Sequence, residues 1–436
     1  MAAPMSMSFV ETVNRIYKFL GSDDLIVDET AVFQEPRLSR QDTDKCDIGL
    51  PLITLGGCDA IIPGALLFPE YKQFKLKINL KQVLEELPPR SISWALPIQS
   101  CSTFKNSLCV SFDRQQVYRN TIFSILFVDS TSVKLLGSKK VVCVTKDTVS
   151  VDQDITDLTE LRVALAYESI CKVFIYLGYD VKKRSEEEVT SSDFRRLHVC
   201  HKQICSEKVL GCSLVHCGAV LNMTTGSKDS NTSVKEYYRR KKLVFERMAK
   251  ARSNCQGSSD QAATISEAEV TGELLWVKLH DNVSISLSDE DSAETGVSHG
   301  ATFLLYNHVR LSCIRRKFEQ GVESGLYQKL PDIEDIDFGL LTQNEEWQLL
   351  LLILEFPYWL INCICPRGKI SLHPVLVGLD KLCRVFSVYY RRVRVLMEPR
   401  PQLLPIMYAR LYLLQCVEHI LGTGLSIFGM KPLDSM

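Results

Sequence analysis

The stretch PVLVGLDKLCRVFSVYYRRV, residues 374–393, decides the fold of the C-terminal third. At about 100° per residue, Val375, Leu379, Leu382, Phe386, Tyr389, Tyr390 and Val393 fall near one line. Lys381, Arg384, Arg391 and Arg392 fall near the opposite side. This is an amphipathic helix with an apolar stripe in a core and a basic face in water. Pro374 suits its first turn, where no backbone N–H is needed, and Pro399 and Pro401 mark its stop.

Working outward, the pattern repeats. A following helix starts near Pro405 and is expected to end at Gly422 or Gly424. Upstream, Thr342 with Glu345 three residues on forms a capping-box pattern and opens another helix. From about Thr302 a further helix turns Phe303, Tyr306, Val309, Cys313 and Phe318 inward. Short links between striped helices predict an all-α helical bundle, with a domain over 266–436.

The rest of the chain has another grain. Val141-Val142-Cys143-Val144 is strand-like, and Leu161, Leu165, Ile170, Val173, Phe174 and Leu177 recur at helical steps. Gly178 then stands where a helix-ending glycine belongs, before Tyr179-Asp180-Val181. Strand, helix, glycine and strand predict a βαβ unit within an α/β region over 136–256. Residues 1–135 mix an amphipathic start (Phe9, Val13, Ile16, Phe19, Leu20) with strands at Phe74–Ile78 and Leu108–Phe112 and helical spacing at Val117, Ile122, Ile125 and Leu126. They form an N-terminal α/β or α+β domain. Residues 253–266 have linker composition, and Ser284 to Gly300 is expected to be a solvated acidic loop.

Composition limits the function classes. In 436 residues, 51 Lys and Arg face 52 Asp and Glu, so any nucleic-acid site must be a local patch. Apolar residues at 46% and charged residues at 24% exclude wholesale disorder. The longest apolar run, Trp347 to Cys365, is broken by Gln348, Glu355, Pro357 and Asn362, which predicts a buried helix and no membrane span. Glu11 and Asn14 interrupt the first apolar stretch, so no signal pattern is expected there. Sixteen irregularly spaced cysteines without such a signal predict reduced thiols and a cytoplasmic protein.

Residues 366–412 hold nine Lys or Arg against two Asp or Glu, interleaved with Phe386, Tyr389, Tyr390, Tyr408 and Tyr412. Arginine forks suit phosphates and tyrosines can stack on splayed bases, so RNA is the candidate ligand. A solvated face over core aromatics is the plainer alternative. A second run, Lys235 to Arg252, holds eight basic residues and two acids and carries the same two readings. Residues 198–217 gather His198, His201, His216, Cys200, Cys205, Cys212 and Cys217. The six-residue gap between its cysteine pairs is short for a zinc ribbon, and Val209, Leu210, Leu214 and Val215 favour a strand with buried thiols, so no metal is expected. Phosphate loop, dinucleotide fingerprint, nucleophile elbow and paired-histidine zinc motif are all missing from the sequence, which predicts neither a catalytic residue nor a cofactor.

Four regions carry a resemblance. Gly300 and Tyr306-Asn307-His308-Val309-Arg310-Leu311, with Ala409-Arg410-Leu411-Tyr412-Leu413-Leu414, Ile420-Leu421, Gly424-Leu425 and Phe428-Gly429, resemble the DALR-type anticodon-binding domain of arginyl-tRNA synthetases. Leu161 to Val181 is similar to the helix that follows the synthetase's His-Ile-Gly-His signature. Residues 216–228 look like a worn copy of its second ATP loop, and Leu108 to Leu126 resembles the end of its N-terminal RNA-touching domain. Where the signature belongs, the chain has Asp157-Leu158-Thr159-Glu160, and Asn222 stands where the loop's first lysine would be. Two carboxylates repel a triphosphate, and only 34 residues separate Val181 from His216, too few to build an amino-acid pocket. A residual ligase, and a scaffold built on the Cys/His cluster, are the rival functions.

In detail the chain is similar to the DALR anticodon-binding domain-containing protein 3 family, non-catalytic relatives of the synthetase. That resemblance implies binding of arginine-accepting tRNA and partnership with a methyltransferase that makes 3-methylcytidine in the anticodon loop. The candidate RNA contacts are Lys381, Arg384, Arg391, Arg392, Arg394, Arg400, Tyr390, His308 and Arg310, with Arg239 and Arg240 from the second basic run. For Tyr389 and Tyr390, core packing is the favoured role.

Overall fold

The structure is a computed structural model. It describes residues 12, 15–16, 37–38, 47–51, 53–56, 59–63, 75–104, 107–127, 141–146, 157–183, 194–201, 213–228, 232–251, 259–286, 300–364 and 370–433. The chain divides into two compact units, one of Met1–Val133, Gly321–Pro357 and Val388–Cys416, the other of Lys134–Gln320, Tyr358–Ser387 and Val417–Met436. The three segments expected above follow chain order, whereas these units follow packing. Each of the long C-terminal helices contributes residues to both.

In the first unit, β1 (Arg37–Leu38), β2 (Ile48–Pro51), β7 (Ser107–Phe112) and β6 (Ile98–Phe104) pair in that order, antiparallel throughout. β3 (Ile53–Gly56), β4 (Asp59–Pro63) and β5 (Lys75–Asn79) form a second antiparallel sheet. The N-terminal part is therefore α+β, since antiparallel strands need only short links and no helical crossover. Two helices accompany the sheets, α1 (Leu80–Arg90) and α2 (Arg114–Phe127). Val117 and Ile122 of α2 are buried as the spacing predicts, Ile125 and Leu126 are half-buried, and Tyr118 joins the core beside them. Of the amphipathic start only Ile16, buried, and two neighbours lie among the described residues.

Asp47 ties this unit together. Its carboxylate accepts from the Phe112 amide at 2.8 Å and from Trp347 Nε1 at 2.9 Å, while Arg114 lies 3.5 Å away. Burial raises the Asp47 carboxyl above its ordinary value despite these partners. The Trp347 indole is sealed under the Arg114 guanidinium, 4.8 Å from the ring centre, and edge-on to Tyr118 at 5.4 Å.

The second unit opens with β8 (Val141–Lys146), α3 (Leu158–Tyr176) and β9 (Asp180–Lys182), the βαβ unit expected, with β8 and β9 parallel. Gly178 takes φ 84°, and the Tyr179 amide reaches back to the Phe174 carbonyl, which closes the helix. β10 (Phe194–Cys200) and β11 (Ser213–His216) complete a parallel sheet in the order β11-β10-β8-β9. β12 (Val220–Asn222) pairs in parallel with β13 (Val283–Ile285), and between them come α4 (Val234–Ala251) and α5 (Ser259–Leu275).

Two boundaries need correcting here. Residues 259–266 form the first turns of α5 instead of a linker, because Ala262, Ile265 and Ala268 give that polar stretch a buried edge. Ser284 and Ile285, placed in an acidic loop, end β13, and Ile285 joins the core with Leu158, Val220 and Tyr237.

The bundle consists of α6 (Ala301–Glu323), α7 (Asn344–Cys363), α8 (His373–Arg392) and α9 (Leu404–Ile427). In α8 the expected stripe is real, with Val375, Leu379, Leu382, Phe386 and Tyr389 fully buried. In α6 it holds for Val309 and Phe318, which are buried, and in part for the half-buried Phe303. Leu304, Leu305, His308 and Leu311 face inward, while Tyr306 is 38% exposed and Cys313 half-buried. The α7 cap is also one residue later than Thr342 and Glu345: Glu346 accepts from the Gln343 amide at 3.0 Å. Finally, α9 runs through Gly422 and Gly424 and stops before Gly429, which takes φ 69°. Gly424 is there for space, since a Cβ would lie 2.5 Å from Leu379 Cδ2.

Candidate nucleic-acid interface

The basic residues of α8 and the segment after it are largely outside the core. Lys381, Arg384, Arg391, Arg392, Arg394 and Arg400 are all exposed. Arg384 pairs with Asp380 at 2.6 Å, Arg392 with Glu345, and Arg400 with Glu398 at 2.6 Å. Arg394 donates from Nε to the Leu396 carbonyl at 3.1 Å. Arg400 and Glu398 are exposed on both sides, so that pair contributes little stability, whereas Asp380 and Glu345 are largely covered and only their arginine partners reach solvent. The tyrosine pair divides. Tyr389 is fully buried and donates to Glu346 at 3.1 Å, whereas Tyr390 is 40% exposed beside Arg391. Consecutive residues on a helix point about 100° apart, enough to carry the second ring off the core stripe that had been expected to hold both.

Four candidates stand differently. His308 is buried, with Nδ1 3.5 Å from Ser312 Oγ and Gly422 packed against its ring edge, so an exposed RNA contact does not fit it. Arg310 lies 4.0 Å over the Tyr306 ring and donates to the Tyr306 hydroxyl at 2.7 Å. Arg239 and Arg240 both hold Glu236, and these arginine hydrogen bonds lower its carboxyl to about 2. In the same helix Lys241 pairs with Glu273 and Lys242 with Glu246. Arg239, Arg240, Lys241 and Lys242 are thus ion-paired within α4 or to α5.

Tyr408 and Tyr412, grouped above with the stacking candidates, are buried at 6% and 4% exposure because they sit on the core side of α9. Arg410, one of the nine basic residues counted, is buried too. Its Nε donates to Glu346 Oε1 at 2.9 Å, and the Glu346 side chain is wholly enclosed. Tyr389, Arg410 and the Gln343 amide converge on that single carboxylate. Sequence reasoning missed this centre. Its one signal was the apolar setting of Arg410 in YARLYLL, residues 408–414.

In the region resembling a worn ATP site, the two segments are tied to each other by their own side chains. Asp157 caps α3, accepting from the Thr159 and Glu160 amides at 2.6 and 3.3 Å. Lys228 Nζ meets the other Asp157 oxygen at 2.9 Å, and Thr159 Oγ1 accepts from the Val220 amide at 3.1 Å. Behind them Arg162 is fully buried and donates to four backbone carbonyls, of Gly218, Leu274, Lys278 and Asp281, at 2.7–3.1 Å. Of the Cys/His group, His198 and Cys200 lie on β10, His216 ends β11, and Cys200 and Cys217 are buried. His198 Nδ1 is 2.8 Å from Thr145 Oγ1. Cys205 and Cys212, with Val209 and Leu210, lie outside the described residues.

A parallel βαβ region leads along the chain into a striped helical bundle whose third helix is basic and carries an exposed tyrosine. Residues 304–436 match the family described as the DALR anticodon binding domain. The chain is 38% identical over 141 residues to "DALR anticodon-binding domain-containing protein 3" of Mus musculus, covering 30% of this chain and 26% of the relative. It is 29% identical over 186 residues to the protein of that name in Danio rerio, covering 41% and 33%. "Arginine--tRNA ligase" of Symbiobacterium thermophilum is 26% identical over 193 residues, 44% of this chain and 32% of the ligase. The chain thus spans about a quarter to a third of the length of the curated relatives it matches. The arginyl-tRNA synthetase of Thermus thermophilus shares the fold, with a TM-score of 0.59 at 10% identity over 88% of this chain and 95% of that one. Among the described residues, no helix is long and apolar enough to cross a membrane.

Proposed function

We propose that this chain is a non-catalytic tRNA-binding protein that recognises arginine-accepting tRNAs in the cytoplasm and presents them to a methyltransferase forming 3-methylcytidine in the anticodon loop. The observation that carries the tRNA reading is the exposed basic set Arg391, Arg392, Arg394 and Arg400 beside Tyr390, inside a domain of anticodon-binding type. Arginine forks bind phosphate oxygens and an exposed ring offers a face to a base. The choice of arginine tRNA rests on the synthetase likeness, and the methyltransferase on family resemblance alone.

The non-catalytic reading is supported by Asp157. Adenylate formation needs donors aimed at the developing charge on ATP, and this position offers a carboxylate tied to Lys228 and two helix amides. Purified protein with ATP, arginine and tRNA is expected to give no ATP–pyrophosphate exchange, and exchange above background overturns that half of the reading. Replacing Arg391 and Arg392 together with Ala is expected to weaken tRNA binding with the thermal midpoint kept. Every phosphate that is no longer neutralised lowers the slope of log affinity against log salt by about 0.7 to 0.9. Unchanged affinity and slope in the folded variant removes RNA from this surface.

A further inference from the structure

We propose that the exposed face of α2 receives a basic, amphipathic helical segment of another protein. Phe123 and Phe127 stand one turn apart on this helix, 38% and 54% exposed, with rings stacked at 5.8 Å and 27°. Phe127 also leans on the buried Tyr412 ring at 6.3 Å, which fixes it from behind. Two adjoining aromatic rings left in water by an otherwise well-filled unit are the kind of anchor that partner proteins cover.

The surroundings decide the partner's chemistry. The segment Pro331–Leu341 is strapped alongside α2. Arg119 donates to the Glu334 and Ile336 carbonyls at 3.3 and 3.1 Å, Gln115 to Asp337 at 3.2 Å, and Tyr412 to the Pro331 carbonyl at 2.6 Å. All of these except the Gln115 bond to the Asp337 carboxylate use the segment's backbone, and Asp332, Glu334, Asp335 and Asp337 stay exposed. The Tyr412 ring touches both Phe127 and, from this segment, Phe338, at 6.3 and 6.4 Å, which brings the acidic strap next to the aromatic group. Residues 330–357 contain seven Asp or Glu and not one Lys or Arg. The cations of α2 itself are already engaged, Arg114 with Asp47 and Trp347, and Arg119 with the two carbonyls.

Aromatic rings alone would also suit a nucleobase. A phosphate backbone following that base would run into the acidic rim, whereas lysines flanking an apolar helix face would meet it favourably. The occupant that satisfies both features is a helix with leucine-like anchors on one side and basic residues at its margins.

This inference stands apart from the RNA-binding reading, and one set of variants tests both. The probe is a fluorescent amphipathic leucine–lysine helix peptide, with a leucine–glutamate peptide of equal length as control, titrated against the full chain. The leucine–lysine peptide is expected to bind, more weakly as salt rises, and the control to stay unbound. Phe127→Ser, and separately Glu334→Lys with Asp335→Lys, should each weaken peptide binding by about tenfold or more. Affinity for tRNA should not change in either. The charge variant lies on an exposed turn and keeps the test decisive if Phe127→Ser is poorly folded. Peptide binding equal in wild type and variants overturns the proposal. So does a loss of tRNA binding in Phe127→Ser, which makes the rings an RNA platform. A wild-type dimer by light scattering that Phe127→Ser turns to monomer also overturns it, because the occupant is then a second copy of this chain.

Discussion

Lys228 and Asp157 form an ion pair of 2.9 Å that joins the start of α3 to the loop after β12. The same carboxylate caps α3 through the Thr159 and Glu160 amides. These are the two segments that resemble the halves of an ATP site, so what meets there is a structural clasp.

Asp157→Ala should therefore cost stability. The cap contributes about 1 kcal/mol, and the partly exposed pair with Lys228 adds little. Burial pushes the Asp157 carboxyl up, but Lys228 and the two amides outweigh it and hold the group below its ordinary value. A depressed folded-state value contributes stability above the unfolded value of about 3.9, and that contribution is lost as pH falls through the folded one. Wild type and variant, compared by urea unfolding, should differ at neutral pH and converge in strong acid. A difference independent of pH removes the carboxylate from the account.

Glu346→Gln should be far more damaging. It leaves the Arg410 guanidinium buried without its charge partner, and breaking one side of a buried pair costs about 3–5 kcal/mol. Replacing both residues, Glu346→Gln with Arg410→Met, should recover much of that loss, since the uncompensated cation is then gone. Denaturant midpoints of the two singles and the double give the coupling. Additive losses would mean that Tyr389 and the Gln343 amide, not Arg410, hold the carboxylate.

How far the sequence could be read follows from periodicity. The stripe of α8, the βαβ unit and Gly178 were legible because one apolar face repeats over several turns. The departure of Tyr306 and Cys313 from the α6 stripe was not, because both are apolar by type while Arg310 covers the Tyr306 ring at the surface. Gly422 and Gly424 resemble stop signals, and only the close approach of Leu379 reveals why Gly424 sits inside α9. The basic face was legible as composition, yet composition counts Arg410 and Arg391 alike. One neutralises an enclosed carboxylate, and the other reaches solvent.

Arg162→Met should unfold the second unit. Four carbonyls, of Gly218, Leu274, Lys278 and Asp281, would lose their donor, and each buried unsatisfied group costs about 1–3 kcal/mol. Arg162→Lys should rescue only part, because an ammonium cannot spread its donors over a planar fork. Soluble yield and thermal midpoint should fall in the order wild type, Lys, Met. A Met variant as stable as wild type would show that water replaces the guanidinium.

The adjacent tyrosines of α8 separate packing from recognition. Tyr389 is fully buried on Glu346, so Tyr389→Ala removes a core ring and should cost about 3–5 kcal/mol of folding stability. Burial drives its hydroxyl well above the ordinary value, with the Glu346 charge adding to it, so it stays a protonated donor across the neutral range. Tyr390 is 40% exposed next to Arg391, and Tyr390→Ala should shift the thermal midpoint little. If its ring stacks on an RNA base, that variant should lose about 1–3 kcal/mol of tRNA affinity. The salt slope should stay as in wild type, because stacking releases no counterions, in contrast to the Arg391 and Arg392 double variant. Tyr390→Phe should retain most of the affinity, since a face and not a hydroxyl is used. Fluorescence titrations at three salt concentrations, with melting curves on the same samples, read all of these. A Tyr390→Ala variant that binds tRNA like wild type returns that ring to the role of surface packing and leaves recognition to the arginines alone.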